Sequence, residues 1–400
     1  MKYPVWFLRL LFASWMIPAG LEHFIPIFPQ PLGSQLLSME LFVALRDTHL
    51  FDLVKAVELI AGLGVLFGYY TPLSLLICLP ISFNVFYWDA PLEGWGSGAA
   101  PFGYATLLVT SLLILAYHKS LESMCTVKAM VREDRKQFAQ VGRIILGTAI
   151  VIFSANILFV SAAPAGDTPL AAQLMTSLVN SRLLYVVLVL QLVAGALILS
   201  GFLVPLALYI QFPLTTCALY WALILNQEPL LAIVTLAVFA VNGLLMLAYL
   251  PYYKGVLERQ PLAAGEESGS AMNYDGLFLN PNGQTPRAQY IPAMIVVVLT
   301  LLFYNYMVGG GGRNAQFCML TLMYPLFVLL ARRFRDMGLE TKLLFIPLTL
   351  VLLFFDVLFG YFSMGDVMDG AIGWLALIVT GAFMVWGGVS DGKASPVNES

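Results

Sequence analysis

Residues 56–88, AVELIAGLGVLFGYYTPLSLLICLPISFNVFYW, decide the fold because they recur. Residues 188–221, LVLQLVAGALILSGFLVPLALYIQFPLTTCALYW, carry the same landmarks at an offset of 133 without gaps. Gly62 pairs with Gly195, Gly68 with Gly201, Pro72 with Pro205, Pro80 with Pro213, and Tyr87-Trp88 with Tyr220-Trp221. Apolar composition alone does not align glycines, prolines and an aromatic pair together. Gly68 and Gly201 suit a helix C-terminus, and Pro72 and Pro205 the first turn of the next helix, so each stretch is a tight helical hairpin. Pro80 and Pro213 then fall inside an apolar helix, where the missing N–H bends it. The bend is either structural or the wall of a ligand cavity.

The surrounding composition says where such hairpins live. The 400 residues are 60% hydrophobic and 11% charged, with a mean hydropathy of +0.85, against roughly 25% charge in soluble domains. This excludes a soluble enzyme. With 20 Lys+Arg, 23 Asp+Glu and a net charge of −3, there is no basic footprint for nucleic acid. Cys78, Cys125, Cys217 and Cys318 stand singly, so no disulfide framework, zinc knuckle or dithiol pair is written here.

A bilayer core of about 30 Å takes roughly 20 apolar residues per helix. On that measure the sequence predicts an all-α polytopic membrane protein. Twelve spans are expected near 5–27, 51–69, 72–89, 101–118, 142–162, 183–200, 203–224, 229–250, 291–308, 315–331, 342–362 and 370–389. The opening segment reads as a retained first helix and not a signal peptide, since Arg9 interrupts its apolar run and no A-x-A site follows. Lys and Arg orient the chain. With the N-terminus inside, Lys2, the basic residues between Lys119 and Arg143, Lys254, Arg259, Arg287, Arg332 to Lys342 and Lys393 are cytoplasmic. Only Arg46, Arg182 and Arg313 fall outside, and both termini are then cytoplasmic. Four spans per copy make the repeats parallel, related by an axis along the membrane normal, unlike inverted transporter repeats.

Arg9 near the start of the first helix, Ala19-Gly20 near its end, and VELIAGLGVLFGYYTPL across the hairpin resemble the DoxX family of four-helix bacterial membrane proteins. The resemblance implies two tandem copies, residues 1–135 and 136–257, in a bacterial inner membrane. It also implies a link to thiosulfate:quinone oxidoreduction or other membrane redox complexes, with quinone as a possible cofactor and a redox protein as a possible partner beside membrane lipids. The family is functionally broad.

Scaffold residues belong in both copies, whereas chemistry can sit in one. The first copy holds the ionisable groups: Asp52, Lys55 and Glu58 become Tyr185, Leu188 and Gln191 in the second, Asp89 becomes Ala222, and Glu22-His23 becomes Asn156-Ile157. Intramembrane charge is costly and marks candidate function. Glu58, Asp52 and Lys55 are therefore the candidate catalytic or proton-handling residues, and Glu22, His23, His49, Asp89 and Trp88 the candidate cofactor-binding residues, with Glu93 at the same outer mouth. The alternative is a structural Lys55–Glu58 pair, spaced i and i+3, below ordinary interfacial residues. A haem or metal between His23 and His49 is a lesser reading, and no metal site is assigned.

Residues 258–287, polar and rich in Gly, Pro, Ser and Asn, read as a cytoplasmic linker to a four-helix membrane module at 288–400. Its string YPLFVLLARRFRDMGLETKLLFIPL, from Tyr324, resembles the bacterial membrane domain of unknown function 805, whose loop is Arg-Arg-x-His-Asp-x-Gly. Arg332, Arg333, Asp336 and Gly338 match it, and Arg335 replaces the usual His. Arg332, Arg333, Arg335 and Asp336 are either a positive-inside anchor with a structured turn or a phosphate or lipid headgroup site. Asp356 is the acid deep in this module. Gly309 to Gly312 reads as an outer loop and not a phosphate cradle. Three functions follow as expectations: a quinone-coupled redox subunit first, then a transporter or lipid-handling protein, then a scaffold or assembly factor without chemistry.

Overall fold

The computed structural model describes residues 2–25, 33–161, 163–267, 270, 273–308, 312–358 and 366–392. Gly309 to Gly311 and Lys393 lie outside the described residues. The described residues are helical, without strands. The helices are α1 Lys2–Phe24, α2 Leu36–Asp47, α3 Leu50–Phe67, α4 Thr71–Tyr87, α5 Ala100–Ala116 and the single turn α6 His118–Leu121. They continue as α7 Lys136–Phe159, α8 Pro169–Asn180, α9 Leu183–Ser200, α10 Val204–Tyr220, α11 Pro229–Ala248, α12 Arg287–Val308, α13 Gly312–Asp336, α14 Phe345–Leu358 and α15 Asp366–Val389.

Eight helical segments among the described residues are long and apolar enough to cross a membrane: α1, α4 with its extension to Leu92, the segment ending in α7, α9, α10 with its extension to Asn226, α11, α12, and Met368–Val389 in α15. The apolar α5 is shorter, and the eighteen residues of α3 include Asp52, Lys55 and Glu58. Each segment expected to span contains helix among the described residues. Two helices were not expected, α2 and α8, each twelve residues long and so too short to span.

Element boundaries repeat along with the residues. From the start of α2 to the start of the π-helical turns that follow α4 and α10, every boundary in the second copy lies 133 residues after its counterpart. Gly68 and Gly201 end α3 and α9 at φ 73° and 81°, a left-handed geometry glycine adopts without a Cβ penalty. In each case the next residue's amide reaches back to the same place, Tyr69 to Gly64 and Phe202 to Leu197. Small residues bring the first and third helices of each copy together. A Cβ on Gly20 would lie 2.7 Å from the Leu59 nitrogen, and one on Gly147 2.9 Å from that of Leu199.

The copies exchange contacts at one end through α2 and α8, which pack on each other. At the other end the Leu203 amide donates to the Val127 carbonyl, while the Tyr70 amide of the first copy donates to the Arg259 carbonyl just beyond the second. Most basic segments gather at this second end, tied in by Ala264 to Ala116 and Thr285 to Arg332 backbone bonds. The largest core cluster surrounds α1, which packs against α3, α5, α12 and α13. The stretch read as a linker contributes to that core: Ala263, Tyr274, Leu277 and Phe278 are buried in it. Its polarity belongs to its turns, while its aromatic and aliphatic residues dock.

Candidate functional site

At the end of the bundle away from the N-terminus, α1 finishes with Glu22-His23-Phe24 and α3 begins just after His49, whose φ of 58° turns the chain into the helix. Asp52 falls in the first turn of α3, where the helix dipole favours a carboxylate. Both its oxygens are engaged: His23 Nε2 lies 2.8 Å from Oδ1 and His49 Nδ1 2.9 Å from Oδ2. A carboxylate between two imidazoles fixes which ring nitrogen carries the proton and orients both rings. Phe24 and Phe51 close edge-on around His23, with ring centroids 5.2 and 5.3 Å away. Asp52 is 44% exposed and His49 78%, so the mouth is open, while Glu22 beside it is buried.

One turn deeper, Lys55 Nζ donates to Glu58 Oε2 at 2.8 Å, with only 11% and 4% of the two side chains exposed. Lys55 also lies over the Phe51 ring at 5.0 Å. Six residues separate Asp52 from Glu58, about 9 Å along a helix. His23, Asp52, Lys55 and Glu58 thus run from an open end to a buried pair, with His49 at the rim and the buried Glu22 next to His23 in the chain. Nothing comparable exists among the described residues of the second copy, where Tyr185, Leu188 and Gln191 take the α3 positions.

Asp89, Trp88 and Glu93 serve different neighbours. Asp89 is buried in the π-helical turn after α4, near Gly103 of α5, and its Oδ2 has no hydrogen-bond partner among the described residues. Trp88 Nε1 donates to the Ser38 carbonyl at 3.1 Å. Glu93 accepts from the Ser34 amide at 2.8 Å and from the hydroxyls of Ser34 and Ser38, and so caps the start of α2. Burial pushes the Glu93 carboxyl up, but those hydroxyls and the Ser34 and Gln35 amides outweigh it and hold it below the usual range. Trp88 and Glu93 therefore hold α2 in place rather than line the two-histidine mouth.

The arginine loop is committed internally. Arg332 Nε donates to Thr285 Oγ1 at 2.9 Å, and its other nitrogens to the carbonyls of Asn280, Asn282 and Gln284. Arg333 Nε donates to the Gly387 carbonyl at 2.8 Å, with further bonds to the Ser390 carbonyl and the Asp336 carboxylate. Arg335 donates to the Gly283 carbonyl at 2.9 Å. These forks clamp segment 280–285 and the end of α15, which favours the structured-turn reading over a headgroup site. Asp356 is an exposed position of α14.

One buried cluster was not anticipated. Arg9, 2% exposed, donates Nε and Nη2 to the Val65 carbonyl at 3.3 and 3.0 Å and stacks 3.6 Å from the Tyr274 ring centroid. Tyr274 in turn donates its hydroxyl to the Leu66 carbonyl at 2.9 Å. Glu266 accepts from Trp6 Nε1 at 3.1 Å and from the Tyr274 amide at 2.9 Å. Burial, helped by Glu266, raises the Asp275 carboxyl above its usual range despite the pull of Arg9. Arg143 repeats half of this arrangement, Nε to the Ile198 carbonyl at 3.1 Å. The signal was present in the sequence, since Arg9 and Arg143 stand 134 apart, one more than the hairpin offset.

Among the described residues no group of three His, Cys, Asp or Glu side chains is placed to hold a metal ion. No family model, curated protein or solved structure matches the chain.

Proposed function

We propose that the chain is a twelve-span protein of a bacterial inner membrane with both termini cytoplasmic, and that its first copy passes protons between the outer face and the membrane interior as a subunit of a quinone-coupled redox system. The observation that carries this reading is the Asp52 carboxylate held between His23 and His49 above the buried Lys55–Glu58 pair. An imidazole and a carboxylate at hydrogen-bond distance can pass a proton between them. A buried ion pair changes its balance when one partner gains or loses a proton, so Glu58 is the acceptor at the buried end. Orientation is supported by the basic segments gathered at the opposite end, and the redox assignment by the resemblance to the DoxX family. Parallel repeats about an axis along the membrane normal are supported by the reciprocal contacts between the copies. Reduced-minus-oxidised spectra and quinone extraction on purified protein test the proposal. Bound quinone that is lost in Glu58→Gln supports it; protein free of both quinone and redox-active groups overturns it.

Transport is the second reading, favoured by Gln211, which occupies the position of Cys78 in the second copy. It is 1% exposed and its Oε1 has no hydrogen-bond partner among the described residues. Polar groups near the middle of a repeat interface are where transporters bind their cargo.

A further inference from the structure

Helix α7 repeats α1 at an offset of 134, so that Arg143 stands for Arg9, Ile144 and Ile145 for Leu10 and Leu11, Thr148 for Ser14, and Ile152 for Pro18. The two faces have opposite fates. Leu10, Leu11 and Ser14 are 0% exposed, and α12 and α13 pack on α1. Cys318 of α13 donates to Ser14 Oγ at 3.4 Å, and Phe303 of α12 meets Phe7 edge-on at 5.8 Å. In the second copy Ile144 is 57% exposed, Ile145 59% and Ile152 63%, and Thr148 is half-buried.

The open face is shallowly indented and not enclosed. Two apolar depressions share Ile145 as a wall and run from Gln137 to Asn156. That length, about 28 Å of helix, approaches the roughly 30 Å of a bilayer core. An acyl chain from one leaflet fills only half of it, whereas a membrane-spanning helix fills it all. Thr148 sits midway, where Ser14 in the first copy receives a thiol. Hydroxyls at such positions join helices inside membranes.

We infer that the α7 face is the docking site for a membrane-spanning helix of a different polypeptide, one that presents an apolar ridge and a small hydrogen-bonding side chain opposite Thr148. A second copy of this chain is a poor occupant. Its α12–α13 surface already covers its own α1. The inference rests on the membrane-spanning reading but not on proton handling, so loss of the Glu58 proposal leaves it standing.

The test is a photoreactive benzoylphenylalanine placed at Ile145 or Ile152 of the full chain in its native membrane, with Ile233 and Leu236 of α11, also exposed at 65% and 52%, as controls. The expected result is one adduct whose cross-linked peptide maps to a spanning segment of one other protein. Its yield should be about tenfold above that at the α11 positions. Ala149→Trp, which raises a bulky ring on that face, should cut that yield about tenfold, while Leu236→Trp leaves it unchanged. Both variants are checked for the wild-type unfolding temperature. If Ala149→Trp fails that check, Ile144→Trp at the exposed wall takes its place. Adducts only with lipid, adducts of twice the chain's own mass, or the same set of proteins at α7 and α11 alike overturn the inference.

Discussion

The Tyr87 hydroxyl donates to the Ser181 carbonyl at 2.7 Å, from the first copy to the second. The bond is returned: Tyr220, 133 residues on, donates to the Thr48 carbonyl at 2.7 Å. Gln173 donates to Asp47 at 3.2 Å, and the equivalent pair runs the other way, Asn180 to Glu40 at 2.9 Å. Such reciprocity is the signature of a two-fold interface, here between two segments of one chain.

Symmetric bonds carry symmetric consequences. Tyr87→Phe and Tyr220→Phe should each destabilise the protein by about 1 kcal/mol, the net worth of an ordinary hydrogen bond. Thermal unfolding of the singles and the double variant in detergent measures this. Similar losses that add in the double variant fit separate bonds of one interface, and a loss confined to one tyrosine does not.

The Lys55–Glu58 pair separates stability from function. Lys55→Met alone strands a buried carboxylate and should cost about 3 kcal/mol or more. Lys55→Met with Glu58→Gln should recover most of that loss. Unfolding midpoints of the singles and the double check the order, and a double variant less stable than either single contradicts a buried, mutually compensating pair.

Glu93 and Asp275 should respond to pH in opposite senses. The folded state holds Glu93 below its usual range, so its stabilising contribution is present at neutral pH and fades as the pH falls through the lowered value. The folded state holds Asp275 above its usual range, so its ionisation costs stability increasingly as the pH rises from the ordinary aspartate range through the raised value. Unfolding temperatures across pH 3 to 8 should therefore show Glu93→Gln less stable than the parent and Asp275→Asn more stable near neutrality, with both differences shrinking in acid. Differences that do not change with pH contradict both assignments.

Arg333 is a clamp. Replacing it with Lys keeps the charge but loses the planar fork to Gly387, Ser390 and Asp336. Hydrogen exchange of residues 387–391 should quicken, while retention of anionic phospholipid stays unchanged. Loss of lipid with unchanged exchange would restore the headgroup reading.

What could be read from the sequence followed from what local chemistry can specify. Gly68, Gly201, Pro72 and Pro205 mark helix ends wherever they occur, so the hairpins and their repeat were legible. So was the one-sided charge of Asp52, Lys55 and Glu58, because each had an apolar or neutral counterpart for comparison. The placement of α2 and α8 was not legible, since twelve-residue helices that bury Leu41 and Phe42 or Leu174 earn no hydropathy signal. The turn through Asp336 was legible beside Arg332 and Arg333, but their clamping was not, because most of their acceptors are main-chain carbonyls about fifty residues away in sequence. Tyr274 looked like part of a linker because the groups that receive it, Arg9 and the Leu66 carbonyl, are more than two hundred residues earlier.

The claim that chemistry resides in the first copy alone is tested most directly by quantifying quinone co-extracted with purified wild-type protein, Glu58→Gln and the positional control Gln191→Ala. Stoichiometric quinone in the wild type and the control, falling at least tenfold in Glu58→Gln, is the expected result. Equal quinone in all three, or none in any, contradicts it.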